Sequence, residues 1–406
     1  VEFALAPEKS FVWLVSQKSI EVFPLPPKEE IERCASRVYE LLIVRNLPVT
    51  TTQERKIQLS DGDFSQTGRK AQIAKADMAF PAAVRELSQL LFGQFANKLT
   101  KKRLLIVPDG RLQSIPFGAL PLPSEPTKSA TAQPFLIEQH ELVVLPSATT
   151  LLVKRQQPAA PLQPQSKKVL VVADPVFDLQ DSRIAEISKH RPASEAMVAE
   201  ARNLSLLPAP TGNAIQRLVF TRQEAAQISR LLKPDEGKQL LDFDASRQSV
   251  LAENLNDYRM LHFATHGVFN RQTPELSGLI LSQVNRNGEP ENGFLSLTDV
   301  FNLRLNADLV VLSACQTALG KDYWGEGMVG LTRGFLYAGT NRVVSSLWMV
   351  DDSATSELMA EFYRRMLGKD RLSPAAALRA AQLKMLSRPN RKHPFYWAAF
   401  QVQGEF

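Results

Sequence analysis

Two stretches decide how this chain is read: LHFATHG at Leu261–Gly267 and LVVLSACQTALG at Leu309–Gly320. Each is an apolar run that stops at a reactive side chain, His266 in the first and Cys315 in the second. A run of four to eight apolar residues bounded by small residues reads as a strand buried on both faces. In open α/β sheets, chemistry collects outside the carboxyl ends of such strands. If Arg259–Thr265 and Ala307–Ser313 are neighbours, the imidazole and the thiol share one mouth of the sheet, roughly 5–10 Å apart.

Around them the second half alternates regularly. Lys168–Ala173, Gln239–Phe243, Arg342–Trp348 and Trp397–Val402 read as further strands. Thr221–Leu232, Ser246–Leu255, Gly327–Ala338, Asp351–Met366 and Ser373–Leu386 read as helices. Thr221 and Glu224 have the spacing of a capping box, and Ser373-Pro374 that of a cap followed by proline at the first helical position. Strands alternating with helices predict an α/β domain, a mostly parallel central sheet covered on both faces.

The first half predicts strands at Val1–Leu5, Ser10–Val15, Ser19–Phe23, Arg103–Val107 and Glu141–Leu145, with helices at Lys28–Val44 and Ala82–Phe95. Thr50–Asp77 reads as a loop, and Asp181–Gly212 as a long polar insertion. The Pro/Gln/Ala-rich Gln156–Gln165 reads as a linker, so two domains are expected, 1–160 and 161–406.

Composition excludes several classes. Hydrophobic residues are 44% and charged residues 22%, a globular balance, and no apolar run approaches the roughly 18 residues of a membrane span. The net charge of +6 is dispersed over the sequence, so solvated surface is expected and no nucleic-acid partner. No glycine-rich nucleotide fingerprint follows a strand. The start has no secretory pattern, and two cysteines, Cys34 and Cys315, give neither a disulfide framework nor metal spacing, so a cytoplasmic setting is expected. A chain opening on Val1 in strand-like sequence reads as part of a longer protein. Cys34 reads as a buried apolar group on a helix. His262 and His266 raise a metal pair, but strand geometry does not converge them and no third ligand follows; no metal and no cofactor are expected.

A thiol is mostly unionised at neutral pH, and a nearby imidazole supplies the thiolate and later protonates a leaving amine. Gly267 and Cys315 offer backbone N–H groups for an oxyanion hole. His266 precedes Cys315 by about 50 residues, the order and spacing of caspases.

These blocks, with PELSGLILS, GEGMVGLTRGFLYAGTNRVVSSLWMVDD and HPFYWAAFQVQG, resemble a CHAT domain, a caspase-like domain that often follows tetratricopeptide repeats in bacterial proteins. LLIVPDGRLQSIPFGALPL and VVLPSATTLL extend the resemblance into the first half. It implies a caspase-like three-layer α/β/α fold, preceded by a related pseudo-protease domain. It also implies a cysteine endopeptidase of the caspase, separase and gingipain group, with His266 and Cys315 as its dyad, a protein substrate and an upstream repeat region. The pocket for the residue before the cut would be built from loops holding Asp174, Trp348, Asp351 and Asp352, with Glu326 close by. Acids there favour Arg or Lys. Each has a second reading: Asp174 holds a turn, Asp351 or Asp352 caps a helix, Trp348 packs in the core, and Glu326 caps a helix. The alternative function is a catalytically idle scaffold of the same fold.

Overall fold

The computed structural model describes residues 1–46, 66–123, 133–149, 152, 156, 167–184, 215–269, 276–313, 315–318 and 326–405. The expected linker lies almost wholly outside the described residues, as does most of the expected polar insertion. The chain divides into two compact units, Val1–Leu142 and Val143–Phe406.

In the first unit, β1 (Glu2–Ala4), β2 (Ser10–Val15) and β3 (Ile20–Leu25) form an antiparallel meander. α1 (Lys28–Ile43) buries Ile31, Cys34, Ala35, Val38, Tyr39 and Leu42, while Leu41, which the apolar spacing places on the same face, is half-buried. α2 runs Gln66–Phe92, starting well before the expected Ala82 and continuing through Pro81. The polar composition of its first turns hid them. β4 (Arg103–Ile106), the short α3 (Leu136–Gln139) and the start of β5 (Glu141–Val144) complete the unit.

The second unit holds β6 (Lys167–Pro175), α4 (Val219–Ser229), β7 (Gly237–Asp242), α5 (Arg247–Ala252), β8 (Tyr258–Ala264), β9 (His266–Phe269), β10 (Gly278–Ile280), β11 (Phe294–Ser296), α6 (Leu297–Asn302), β12 (Leu309–Leu312), β13 (Cys315–Ala318), α7 (Glu326–Tyr337), β14 (Arg342–Ser346), α8 (Asp352–Leu367), α9 (Pro374–Leu386) and β15 (Phe400–Gly404). Its central sheet runs β15-β14-β12-β8-β6-β7, parallel except for β15 against β14.

The period of two in β8 explains the layers. Leu261 and Phe263 join Leu170, Val172, Val310 and Leu312 on one face, packed with Val250 of α5, Val300 of α6 and Phe335 of α7. His262, between them, faces Glu224 of α4 and Tyr363 of α8 on the other face. Both faces are therefore covered, and β12 is buried at every position. Among the described residues, no helix is long and apolar enough to cross a membrane.

The cap expected at Ser373 forms, and Ser246 supplies a further one. Ser246 and Ser373 accept from the third backbone N–H after them, with Pro374 opening α9. The capping box expected at Thr221 does not form. α4 begins three residues earlier, Thr221 donates to the Leu218 carbonyl at 2.6 Å, and this shift turns Glu224 onto the buried face.

Candidate active site

The apolar strand before His266 ends one residue sooner than its sequence suggests. β8 stops at Ala264, and the Thr265 hydroxyl donates to the Ile280 carbonyl. His266 then opens a second sheet of order β11-β10-β9-β13. The chain after β12 makes the same step, so that β13 opens at Cys315. β8 and β12 are parallel neighbours, and so are β9 and β13. Two equal steps from adjacent strands bring Cys315 into register with His266, and Gln316 into register with Gly267. Register partners on adjacent parallel strands share a face of the sheet at a spacing of about 4.8 Å.

His266 is buried, with 6% of its surface exposed. Its Nε2 lies 2.6 Å from the Gln216 carbonyl oxygen. A carbonyl only accepts, so Nε2 carries the proton and the neutral ring presents a bare Nδ1. Nδ1 has no hydrogen-bond partner among the described residues. Burial holds the imidazole below the usual histidine range, and the Gln216 carbonyl opposes this. The Phe177 ring packs at 5.0 Å between centroids. A buried imidazole with an unused lone pair, fixed by a backbone carbonyl, is arranged to receive a proton.

Gln216 escaped the sequence reading. It contributes only backbone, and a main-chain carbonyl leaves no mark on residue identity. His262 is similar in one respect: nothing in its spacing shows its partners. Its Nε2 contacts Glu224 Oε1 at 2.8 Å, outside hydrogen-bond alignment, and its Nδ1 lies 3.1 Å from the Tyr363 hydroxyl. It belongs to the central sheet and His266 to the second one.

The residues expected around the substrate are dispersed in role. Asp174 is the last residue but one of β6, with its carboxylate fully buried and its two oxygens taken by Arg217 and Arg222. It is not an open pocket floor, because guanidinium groups of its own chain already neutralise it. Trp348 is 1% exposed and donates from Nε1 to the Phe395 carbonyl at 3.3 Å, a core position. Asp351 caps α8, accepting from Ala354 N at 2.8 Å. Asp352 is partly exposed, accepts from Phe220 N at 3.1 Å, and has no ion pair among the described residues. Burial pushes its carboxyl up to about 6, and the nearby acids Glu224, Asp351 and Asp174 add to the rise. Gln216–Phe220 touches His266 at one end and Asp352 at the other, a span of at most about 14 Å. Glu326 is the first residue of α7, and its side chain lies outside the described residues, as does that of Cys315.

The family model described as the CHAT domain matches residues 81–405. The chain belongs to the CHAT domain family. Human tetratricopeptide repeat protein 28 is 26% identical over 381 residues, covering 85% of this chain and 14% of that protein. The mouse protein of the same name is 25% identical over 338 residues, covering 75% and 12%. This CHAT domain chain thus spans about a seventh of the length of the curated relatives it matches. Among solved structures, the Arg-specific cysteine proteinase gingipain R aligns with a TM-score of 0.44 at 9% identity, covering 80% of this chain and 67% of that one. The Saccharomyces cerevisiae separase–securin complex aligns with a TM-score of 0.41 at 13% identity, covering 97% and 22%.

Proposed function

We propose that this CHAT domain is a cysteine endopeptidase working with a Cys315–His266 dyad. The observation that carries the reading is the parallel register of those two residues, combined with the carbonyl-fixed tautomer of His266. Nδ1 of His266 takes the Cys315 thiol proton, and the thiolate attacks the scissile carbonyl carbon. The backbone N–H groups of Gly267 and Cys315 are assigned to the developing oxyanion. The imidazolium then protonates the departing amine, leaving a thioester. Water activated by the same Nδ1 hydrolyses it and returns the thiol.

A cut after a basic residue is part of this reading, with Asp352 as the recognising carboxylate in place of the sealed Asp174. The substrate is a protein, and a tetratricopeptide-repeat region like that in the relatives' name regulates the site. The first unit accompanies it as a non-catalytic pseudo-protease domain. In support, its Cys34 is buried, with its thiol pushed up by burial and by Glu86.

The test is a fluorogenic peptide panel with Arg, Lys, Met or Asp before the cut. Cys315→Ala and His266→Ala are expected to remove cleavage, and Asp352→Asn to raise KM for the Arg and Lys peptides about tenfold. Cleavage that survives in Cys315→Ala ends the peptidase reading in favour of an idle scaffold.

A further inference from the structure

Among the described residues no side-chain carboxylate backs the base of this site; its Nε2 leans on the carbonyl of Gln216. That carbonyl needs an anchor of its own, and the next residue supplies one. Arg217 donates from Nε to Asp174 Oδ1 and from Nη2 to Asp174 Oδ2, both at 2.7 Å. This two-point fork fixes direction as well as distance. Asp174 is itself held from several sides. Arg222 Nε donates to Oδ2 at 2.7 Å, Arg183 Nη1 donates to the Asp174 carbonyl at 2.8 Å, and Asp174 N donates to Thr221 Oγ1 at 3.2 Å. The backbone at Asp174 is left-handed, with φ of 50°, a conformation a non-glycine residue keeps only when its surroundings impose it. Its carboxylate has 0% exposure, so the acid faces the protein and not a cleft.

We infer that Asp174 and Arg217 are positioning residues for the base: the Asp174–Arg217 fork holds the Gln216 carbonyl against His266 Nε2 and thereby keeps Nδ1 bare for Cys315. The acid at the end of β6 therefore serves the histidine and not the substrate's basic side chain. Without the fork, what holds the Gln216–Phe220 stretch among the described residues is the helix it leads into, the Thr221 bonds to the Leu218 carbonyl and the Phe220–Asp352 contact. The ring is then free to exchange tautomers, and an imidazole protonated at Nδ1 cannot take the thiol proton.

The inference rests on the dyad proposed above, so its test has one arm that needs no cleavage. Ring nitrogen shifts of ¹⁵N-histidine-labelled protein in the Cys315→Ala background report the His266 tautomer directly. The Nε2–H form is expected alone with the native fork, and a mixture of both forms in Arg217→Gln and Asp174→Asn. Arg217→Gln leaves Asp174 with Arg222 and Arg183, so it tests the fork even if Asp174→Asn does not fold. With Cys315 restored, Arg217→Gln is expected to lower kcat on the order of 100-fold with KM nearly unchanged, the scale of a small misplacement. Arg217→Lys, with charge but no fork, is expected to recover about tenfold of that. An unchanged Nε2–H tautomer in folded Arg217→Gln overturns the inference. So does a rise in KM for Arg and Lys peptides at constant kcat in Asp174→Asn, which returns the acid to the substrate. If no peptide is cut by the native chain, the peptidase reading fails while the tautomer spectra still decide the fork.

Discussion

Cys315 and His266 are register partners on adjacent parallel strands, although about 50 residues of chain separate them. The relationship arises because β8 and β12, already paired, each break and restart one strand further on, in a second sheet. A slip of one position in either step would break this register, since successive residues of a strand alternate between faces. The step at Thr265 is tied down by its hydroxyl bond to Ile280.

The first prediction concerns the protonation of His266. Burial lowers its pKa, so the native state binds fewer protons than the unfolded chain just below pH 6.5. Its contribution to stability is present above that value and is lost as pH falls through the lower folded pKa. A ¹⁵N-histidine titration of the Cys315→Ala protein is expected to give a His266 midpoint below 6.5. A midpoint above it contradicts the burial argument.

The second concerns His262, which is fully buried beside Glu224 and Tyr363. Burial also raises the Tyr363 hydroxyl well above its ordinary range, so it stays neutral. Replacing His262 with Ala leaves the Glu224 carboxyl buried without its imidazole. Leaving a buried polar group without its partner costs about 1–3 kcal/mol. Urea unfolding should show that loss, and the double replacement His262→Leu with Glu224→Leu should lose clearly less. Equal losses for the single and double replacements would show that the contact has no energetic weight.

The third separates two roles for Trp348. As a core residue bonded to the Phe395 carbonyl, its replacement by Phe is expected to cost about 1 kcal/mol in stability and to leave KM unchanged. A pocket wall gives the reverse pattern, with KM rising for the best peptide and stability untouched. Urea midpoints and Michaelis curves on one preparation distinguish them.

The elements were largely readable because apolar period is a local property. β6, β8, β12 and β14 are continuous buried runs, and their flanking caps Ser246, Ser373 and Asp351 obey rules that operate within four residues. His266 and Cys315 stood out because reactive side chains ended such runs. α2 was read too short because a polar, proline-containing segment carries little periodic signal. The capping-box reading of Glu224 fails because a three-residue shift in the helix start moves its side chain from cap to core.

The sequence by itself determined the α/β class and the apolar strands that lead to His266 and Cys315. The tertiary structure alone decided which of those groups meet what. It put His266 and His262 in different sheets, gave His266 a backbone carbonyl, and enclosed Asp174 among arginines drawn from three separate positions in the chain. The physical reason is that secondary structure follows from neighbours in sequence, whereas tautomer, charge neutralisation and accessibility depend on atoms brought close by packing. Carbonyl oxygens and buried ion pairs of that kind leave no pattern in the order of residues.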